Sequence, residues 1–274
     1  MTAGLTEPAA DAAIVAACRA LSLPTVRAEA AALADAATRD RLSHRAYLAE
    51  LLAAEVDARH ARRRERRRKE ARFPRLKTLD GFDLDAAGHI DPALLASLAA
   101  GGWIDRGEPV VLLGDSGTGK THLLIGLGVA ACDQGRSVRY LTAAALVNEL
   151  VEAADDRALT RAVARYGRLD LLCLDELAYL HLDPRGAELL FQVLTEREER
   201  ASIAVATNAP FSEWGQTFTD PRLAGAVVDR LTFNAHIIET GTDSYRLRSA
   251  RRATARRSTT PRTHPSTAPT GERP

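Results

Sequence analysis

Val110-Val111-Leu112-Leu113-Gly114-Asp115-Ser116-Gly117-Thr118-Gly119-Lys120-Thr121 decides the architecture of this 274-residue chain. Four apolar residues ending at a glycine suit a short buried strand. The run Gly114-x-x-x-x-Gly119-Lys120-Thr121 has the spacing of a phosphate-binding loop, and a helical stretch over 121–132 follows it. Glycines let backbone N–H groups converge on phosphate oxygens with no Cβ in the way, and the helix that starts there adds the positive end of its dipole. Asp115, Ser116, Gly117 and Thr118 complete the cradle. Lys120 is placed to reach β- and γ-phosphates, and the Thr121 hydroxyl to ligate Mg²⁺. The competing reading is a chance glycine-rich turn, which the strand–loop–helix setting disfavours. The implied ligand is a nucleoside triphosphate, with ATP preferred.

Outward from this loop, short apolar runs alternate with helical segments. Strands are expected at 138–141, 169–174, 203–206 and 236–239, with helices over 121–132, 143–153 and 184–200. Near-continuous apolar strands separated by helices indicate a parallel sheet of five strands covered on both faces, an α/β fold. Upstream, residues 5–70 read as Ala-rich helix. Ser43 is a candidate N-cap, and Tyr47, Leu48, Leu51, Leu52 and Val56 share one helix face. The organisation is therefore a small N-terminal all-α domain over 1–72, an α/β domain over 73–250, and a tail over 251–274. That tail is Arg/Thr/Pro-rich without apolar period and is expected to be disordered. Within the connector, Asp91-Pro92 opens a short helix that Gly101-Gly102 closes.

Leu171-Leu172-Cys173-Leu174-Asp175-Glu176 is an apolar strand ending in two acids. Beside a phosphate loop, Asp175 would hold Mg²⁺ through water and Glu176 would polarise an attacking water as general base. An acidic helix start is the bland alternative. Asn208, at the end of the fourth strand, can sit between a γ-phosphate and that water, although Asn is an ordinary turn residue there. Arg230 and Arg246 are candidate stabilisers of transition-state charge; on spacing alone, surface ion pairs are the stronger reading for both.

The formal net charge of +1 hides an asymmetry. Residues 59–77 hold eleven Arg/Lys against Glu65 and Glu70, and the tail is also basic, so the remainder is acidic. A run as dense as Arg62–Lys69 suits the phosphates of a nucleic acid, with Arg62, Arg63, Arg66 and Arg67 as candidate contacts; a solvated helix face is the alternative. No segment reaches the roughly 18 consecutive apolar residues of a membrane span, and residues 1–20 lack the layout of a signal peptide. Cys18, Cys132 and Cys173 match no metal spacing, which fits a reducing cytoplasm.

From Phe73 to Arg248 the sequence resembles the IstB family of insertion-sequence ATP-binding helpers, relatives of the DnaC helicase loaders among AAA+ ATPases. The resemblance rests on 72–79, 113–122, 140–144, 171–179, Pro210-Phe211-Ser212-Glu213-Trp214-Gly215 and 243–248. The last two runs are the more specific. The resemblance implies a bacterial cytoplasmic AAA+ module with a further strand between the phosphate-loop strand and the acidic strand. It implies Asn208 as sensor, Arg230 as an arginine finger acting in trans on the next subunit of a homo-oligomer, and Arg246 as a second sensor acting in cis. It also implies ATP-dependent assembly on double-stranded DNA in the service of an IstA-like transposase. Ala209 departs from the basic residue often found there among relatives, and for the tail after Arg248 the resemblance implies no role. A helicase loader would share every ATPase residue. A nucleotide-gated DNA scaffold that hydrolyses little is the rival from another class.

Overall fold

A computed structural model describes residues 6–84, 87, 90–177, 182–218 and 220–242. Arg246 and the tail 251–274 lie outside the described residues.

Three helices form the N-terminal unit: α1 (Glu7–Ala20), α2 (Pro24–Arg39) and α3 (His44–Ala71). Pro24 opens α2 at a position where its missing N–H costs nothing. The Ser43 hydroxyl accepts from the Ala46 N–H and caps α3, as its position in the sequence suggested. Only part of the apolar face of α3 is covered. Tyr47 and Leu51 pack with Cys18, Val26 and Ala30, whereas Leu48, Leu52 and Val56 remain exposed. Two short Ala-rich helices offer too little surface to cover the whole stripe.

Glu55 joins α3 to α2. Its carboxylate accepts from the Thr25 and Val26 N–H groups, 2.7 and 3.2 Å away, serving the first turn of a helix whose N-cap Leu23 has no capping side chain. Burial pushes the Glu55 carboxyl up. The Arg59 hydrogen bond and the two backbone donors outweigh this and hold it at about 2. A carboxyl whose folded-state pKa is depressed contributes stability above its ordinary pKa and loses it as pH falls through the folded value. This contribution should therefore fade as pH drops from about 4.5 toward 2. Glu55→Gln should lower the melting temperature at pH 7, and the gap from wild type should narrow by pH 3; melting followed by helical circular dichroism checks both.

The second half of α3 leaves this unit and packs on the α/β body. Between them the body begins with α4 (Pro92–Ala100) and α5 (Gly102–Asp105). The repeating region is β1 (Val110–Leu113), α6 (Lys120–Asp133), β2 (Val138–Thr142), α7 (Ala143–Asp155), α8 (Leu159–Gly167), β3 (Leu171–Asp175), α9 (Pro184–Arg197) and β4 (Ser202–Thr207). A 3₁₀ turn (Phe211–Glu213), α10 (Trp214–Thr217), α11 (Pro221–Thr232) and β5 (His236–Glu239) follow. The five strands are parallel in the order β2-β3-β4-β1-β5. β4 thus lies between the phosphate-loop strand and the acidic strand, as the family resemblance implied. One core layer packs under α7, α8, α9 and α11, the other under α4, α5 and α6.

Several boundaries differ from the sequence reading, most by a residue or two. β3 starts at Leu171, because the Asp170 carboxylate instead accepts from the N–H and hydroxyl of Ser137, joining the starts of β2 and β3. α9 stops at Arg197, with Glu199 in the left-handed region at φ +56°. α8 and α11 form where the sequence had suggested no helix.

Candidate nucleotide-binding site

The loop 114–119 leaves the C-terminal end of β1 and enters α6, and its backbone needs glycine where the surroundings close in. Gly114 has φ +144°, and a Cβ there would lie 2.4 Å from Thr240 Oγ1 and 2.8 Å from the Gly241 carbonyl. Gly119 has φ +107°, and a Cβ there would lie 2.7 Å from the Phe82 ring. The segment after β5 buttresses the loop from beneath. Asp115 N–H donates to the Gly241 carbonyl at 3.0 Å, and the Thr118 and Thr240 hydroxyls meet at 2.6 Å.

Lys120 is only 9% exposed. Its ammonium donates to the carbonyls of Gly114 and Asp115 at 2.6 and 2.7 Å. This draws the charge against the loop it would serve. Ser116 to Thr121 line a cavity of about 690 Å³, and Asp175, Glu176 and Asn208 line it too. The structure thus brings the loop, both acids and the polar end of β4 to one place, at the C-terminal ends of the strands, where open α/β sheets bind ligands.

Asp175 is 5% exposed and both its oxygens are engaged. Oδ1 accepts from the Glu176 N–H at 2.9 Å and Oδ2 from the Tyr140 hydroxyl at 2.7 Å. Burial pushes the Tyr140 phenol up, and the Asp175 bond adds to it. Glu176 adopts φ +58°, a conformation a side chain with a Cβ rarely takes, and it is an exposed residue of the cavity lining. Such strain clusters at functional positions. Thr121 and Asp175 offer one hydroxyl and one carboxylate on the same cavity. That donor set suits Mg²⁺, which keeps several waters and takes phosphate oxygens rather than an all-protein cage. Among the described residues no group of three His, Cys, Asp or Glu could hold a metal alone.

Several cavity residues were not singled out from sequence. Arg75, Lys77, Phe82 and Asp83 come from the connector, and Thr240 to Thr242 from beyond β5. Phe82 stands edge-on to His122, ring centroids 5.4 Å apart, and His122 Nε2 lies 2.9 Å from the Thr78 carbonyl. Burial lowers the His122 pKa. These contacts fold the connector over the start of α6.

Arg230 lies elsewhere. It occupies the last turn of α11, donates to Glu198 at 2.9 Å, and lies over the Phe191 ring at 4.3 Å. With Glu108, Pro109 and Ala201 it lines a second, smaller cavity at the N-terminal ends of the strands. Of the basic run, Arg62 donates to Glu55 at 3.1 Å, and Arg63 and Arg67 both reach the Gly135 carbonyl at 3.3 Å. Arg68 forms a two-bond pair with Asp133. The bonds of Arg63, Arg67 and Arg68 dock α3 against the end of α6. Arg66 pairs loosely with Glu70 at 3.7 Å and stays 65% exposed.

A parallel sheet in this strand order, with a phosphate loop after β1 and an acidic pair at the end of β3, defines an AAA+ P-loop protein. The chain belongs to the IstB-like ATP binding protein family, whose model matches residues 16–253, and it is accordingly an ATP-binding protein. An ATP-binding protein of insertion sequence IS21 from Pseudomonas aeruginosa is 38% identical over 221 residues, covering 81% of this chain and 83% of that relative. The corresponding protein of insertion sequence IS5376 from Geobacillus stearothermophilus is 36% identical, covering 85% and 93%. Among solved structures, AMPPCP-bound DnaA from Aquifex aeolicus superposes with a TM-score of 0.52 at 20% identity, over 66% of this chain and 55% of that one. At that identity the likeness concerns the fold alone. No helix among the described residues is long and apolar enough to cross a membrane.

Proposed function

We propose that this protein is an ATPase that assembles on duplex DNA and assists the transposase of an insertion sequence. The observation that carries the hydrolytic part is the meeting of Lys120, Asp175 and Glu176 on one cavity. Lys120 and the loop N–H groups hold the β- and γ-phosphates. Thr121 and Asp175 hold Mg²⁺, which when bound neutralises developing phosphate charge. Glu176 takes the proton of the attacking water, Asn208 orients that water, and Arg246 acts on the γ-phosphate of its own subunit.

Arg230 completes the site of a neighbouring subunit. Its place supports this role: all of β1 separates it from the phosphate loop of its own chain, about 3.3 Å per residue over four residues. An arginine so placed serves a nucleotide across an interface, which requires a homo-oligomer. The names of the two relatives, both of insertion sequences, support the transposition setting.

The basic helix α3 supplies the DNA contacts, with Arg62, Arg63, Arg66 and Arg67 facing phosphates. Arg66 has least to give up, since its intramolecular pair is long and exposed. Arg66→Ala should weaken duplex binding and reduce the slope of log K against log salt by about one. Anisotropy of a labelled duplex at stepped salt measures this, and an unchanged slope removes Arg66 from the interface. For the whole reading, ATPase is measured with duplex DNA and with an IstA-like transposase. Stimulation by both is expected. Stimulation by a replicative helicase instead would favour a loader, and DNA-bound assembly without turnover a scaffold.

A further inference from the structure

We propose that Tyr140 is a positioning residue for the metal-holding carboxylate of Asp175, an inference that rests on the ATPase reading above. Tyr140 lies on β2, which pairs with β3 so that Thr142 stands opposite Asp175. From two residues upstream its phenol reaches diagonally across the pair and donates to Asp175 Oδ2 at 2.7 Å. The opposite oxygen is held by the Glu176 N–H. Each oxygen thus has one fixed donor, and rotation about the Cβ–Cγ bond of Asp175 would break both. Tyr140 is buried, and the Phe73 ring packs nearby, 6.1 Å away at a 55° tilt, without touching the hydrogen bond itself.

Any buried phenol needs a partner, and a backbone carbonyl would satisfy it. Here the partner is the carboxylate that faces the phosphate loop, and a carboxylate so fixed presents its remaining lone pairs in one direction. Hydrogen bonds of this kind to a metal-binding carboxylate commonly carry about tenfold or more in metal affinity.

The test measures binding of a fluorescent ATP analogue to the full chain, first in EDTA and then with rising MgCl₂. Tyr140→Phe keeps the ring and removes only the hydroxyl. Its affinity in EDTA should equal that of wild type, while the MgCl₂ concentration giving half the gain in affinity should rise about tenfold. Phe73→Leu loosens the packing but leaves the hydrogen bond, and should titrate like wild type. Asp175→Asn should show no gain. A wild-type Mg²⁺ titration for Tyr140→Phe, or an equal shift for Phe73→Leu, overturns the proposal while leaving the ATPase reading intact. A wild-type gain in Asp175→Asn overturns the metal role of Asp175, and the proposal with it. Melting curves without nucleotide confirm that each variant is folded.

Discussion

Chains carrying Glu176→Gln should hydrolyse ATP about 10²–10⁴-fold more slowly than wild type while binding it as tightly. Chains carrying Arg230→Ala should be comparably slow, because the arginine contributes only when charge moves onto the γ-phosphate. Mixing the two should restore activity, with a maximum at an intermediate ratio. Each mutant supplies what the other lacks: an Arg230→Ala subunit has an intact Glu176, and a Glu176→Gln neighbour has an intact Arg230. The structure sets the conditions. Glu176 lines the cavity at the C-terminal strand ends, and Arg230 lines another at the N-terminal ends. Arg230 must also leave Glu198, its partner at 2.9 Å, and the Phe191 ring to meet a second nucleotide. The exposed pair with Glu198 holds it weakly, since such pairs contribute only about 0–1 kcal/mol. Activity should therefore rise steeply with protein concentration. If no ratio of the two mutants exceeds the sum of their separate rates, Arg230 does not act in trans.

Much of this site was legible because its parts are local. The strand–loop–helix unit from Val110 to Thr121 is contiguous, and the bounds of β1 and β5 agree with apolar runs that stop at polar residues or glycine. The acidic pair ends its strand as expected, although β3 begins two residues later than the apolar run suggested. What sequence concealed is what distance in sequence conceals. Phe82 stands over Gly119 and Thr240 under Gly114, and no local pattern announces either contact. The sequence offers no more than one of several aromatics in the connector and a Thr-Gly pair after a strand. α8 gives little apolar signal in the sequence because its fully buried residues are only Ala162 and Tyr166, among arginines. The density of α3 was legible as charge, but not its division of labour. Arg63, Arg67 and Arg68 bond to the end of α6, so the helix is at once a basic surface and a brace between two parts of the molecule.

Lys120→Ala should abolish useful nucleotide binding while leaving the chain folded. The residue is 9% exposed, and its ammonium is shared between the carbonyls of Gly114 and Asp115. Its loss would remove the one cation set within the loop itself, and the β- and γ-phosphates would be left with backbone N–H donors and the helix dipole. Truncating one partner of a buried charge pair costs about 2–5 kcal/mol, which is roughly thirtyfold to several thousandfold in affinity. The fold should tolerate the change, because the loop is also held by the Asp115 N–H on Gly241 and by the Thr118–Thr240 contact, neither of which involves the lysine. Lys120→Arg should not restore binding. A planar guanidinium is larger than an ammonium and presents its donors in a fixed fork, and the loop carbonyls converge on a point. Calorimetric titration with ATP and Mg²⁺ measures the affinity, and a melting curve without nucleotide measures the fold. Binding within about threefold of wild type by a folded Lys120→Ala chain would mean that the loop is not where the phosphates sit.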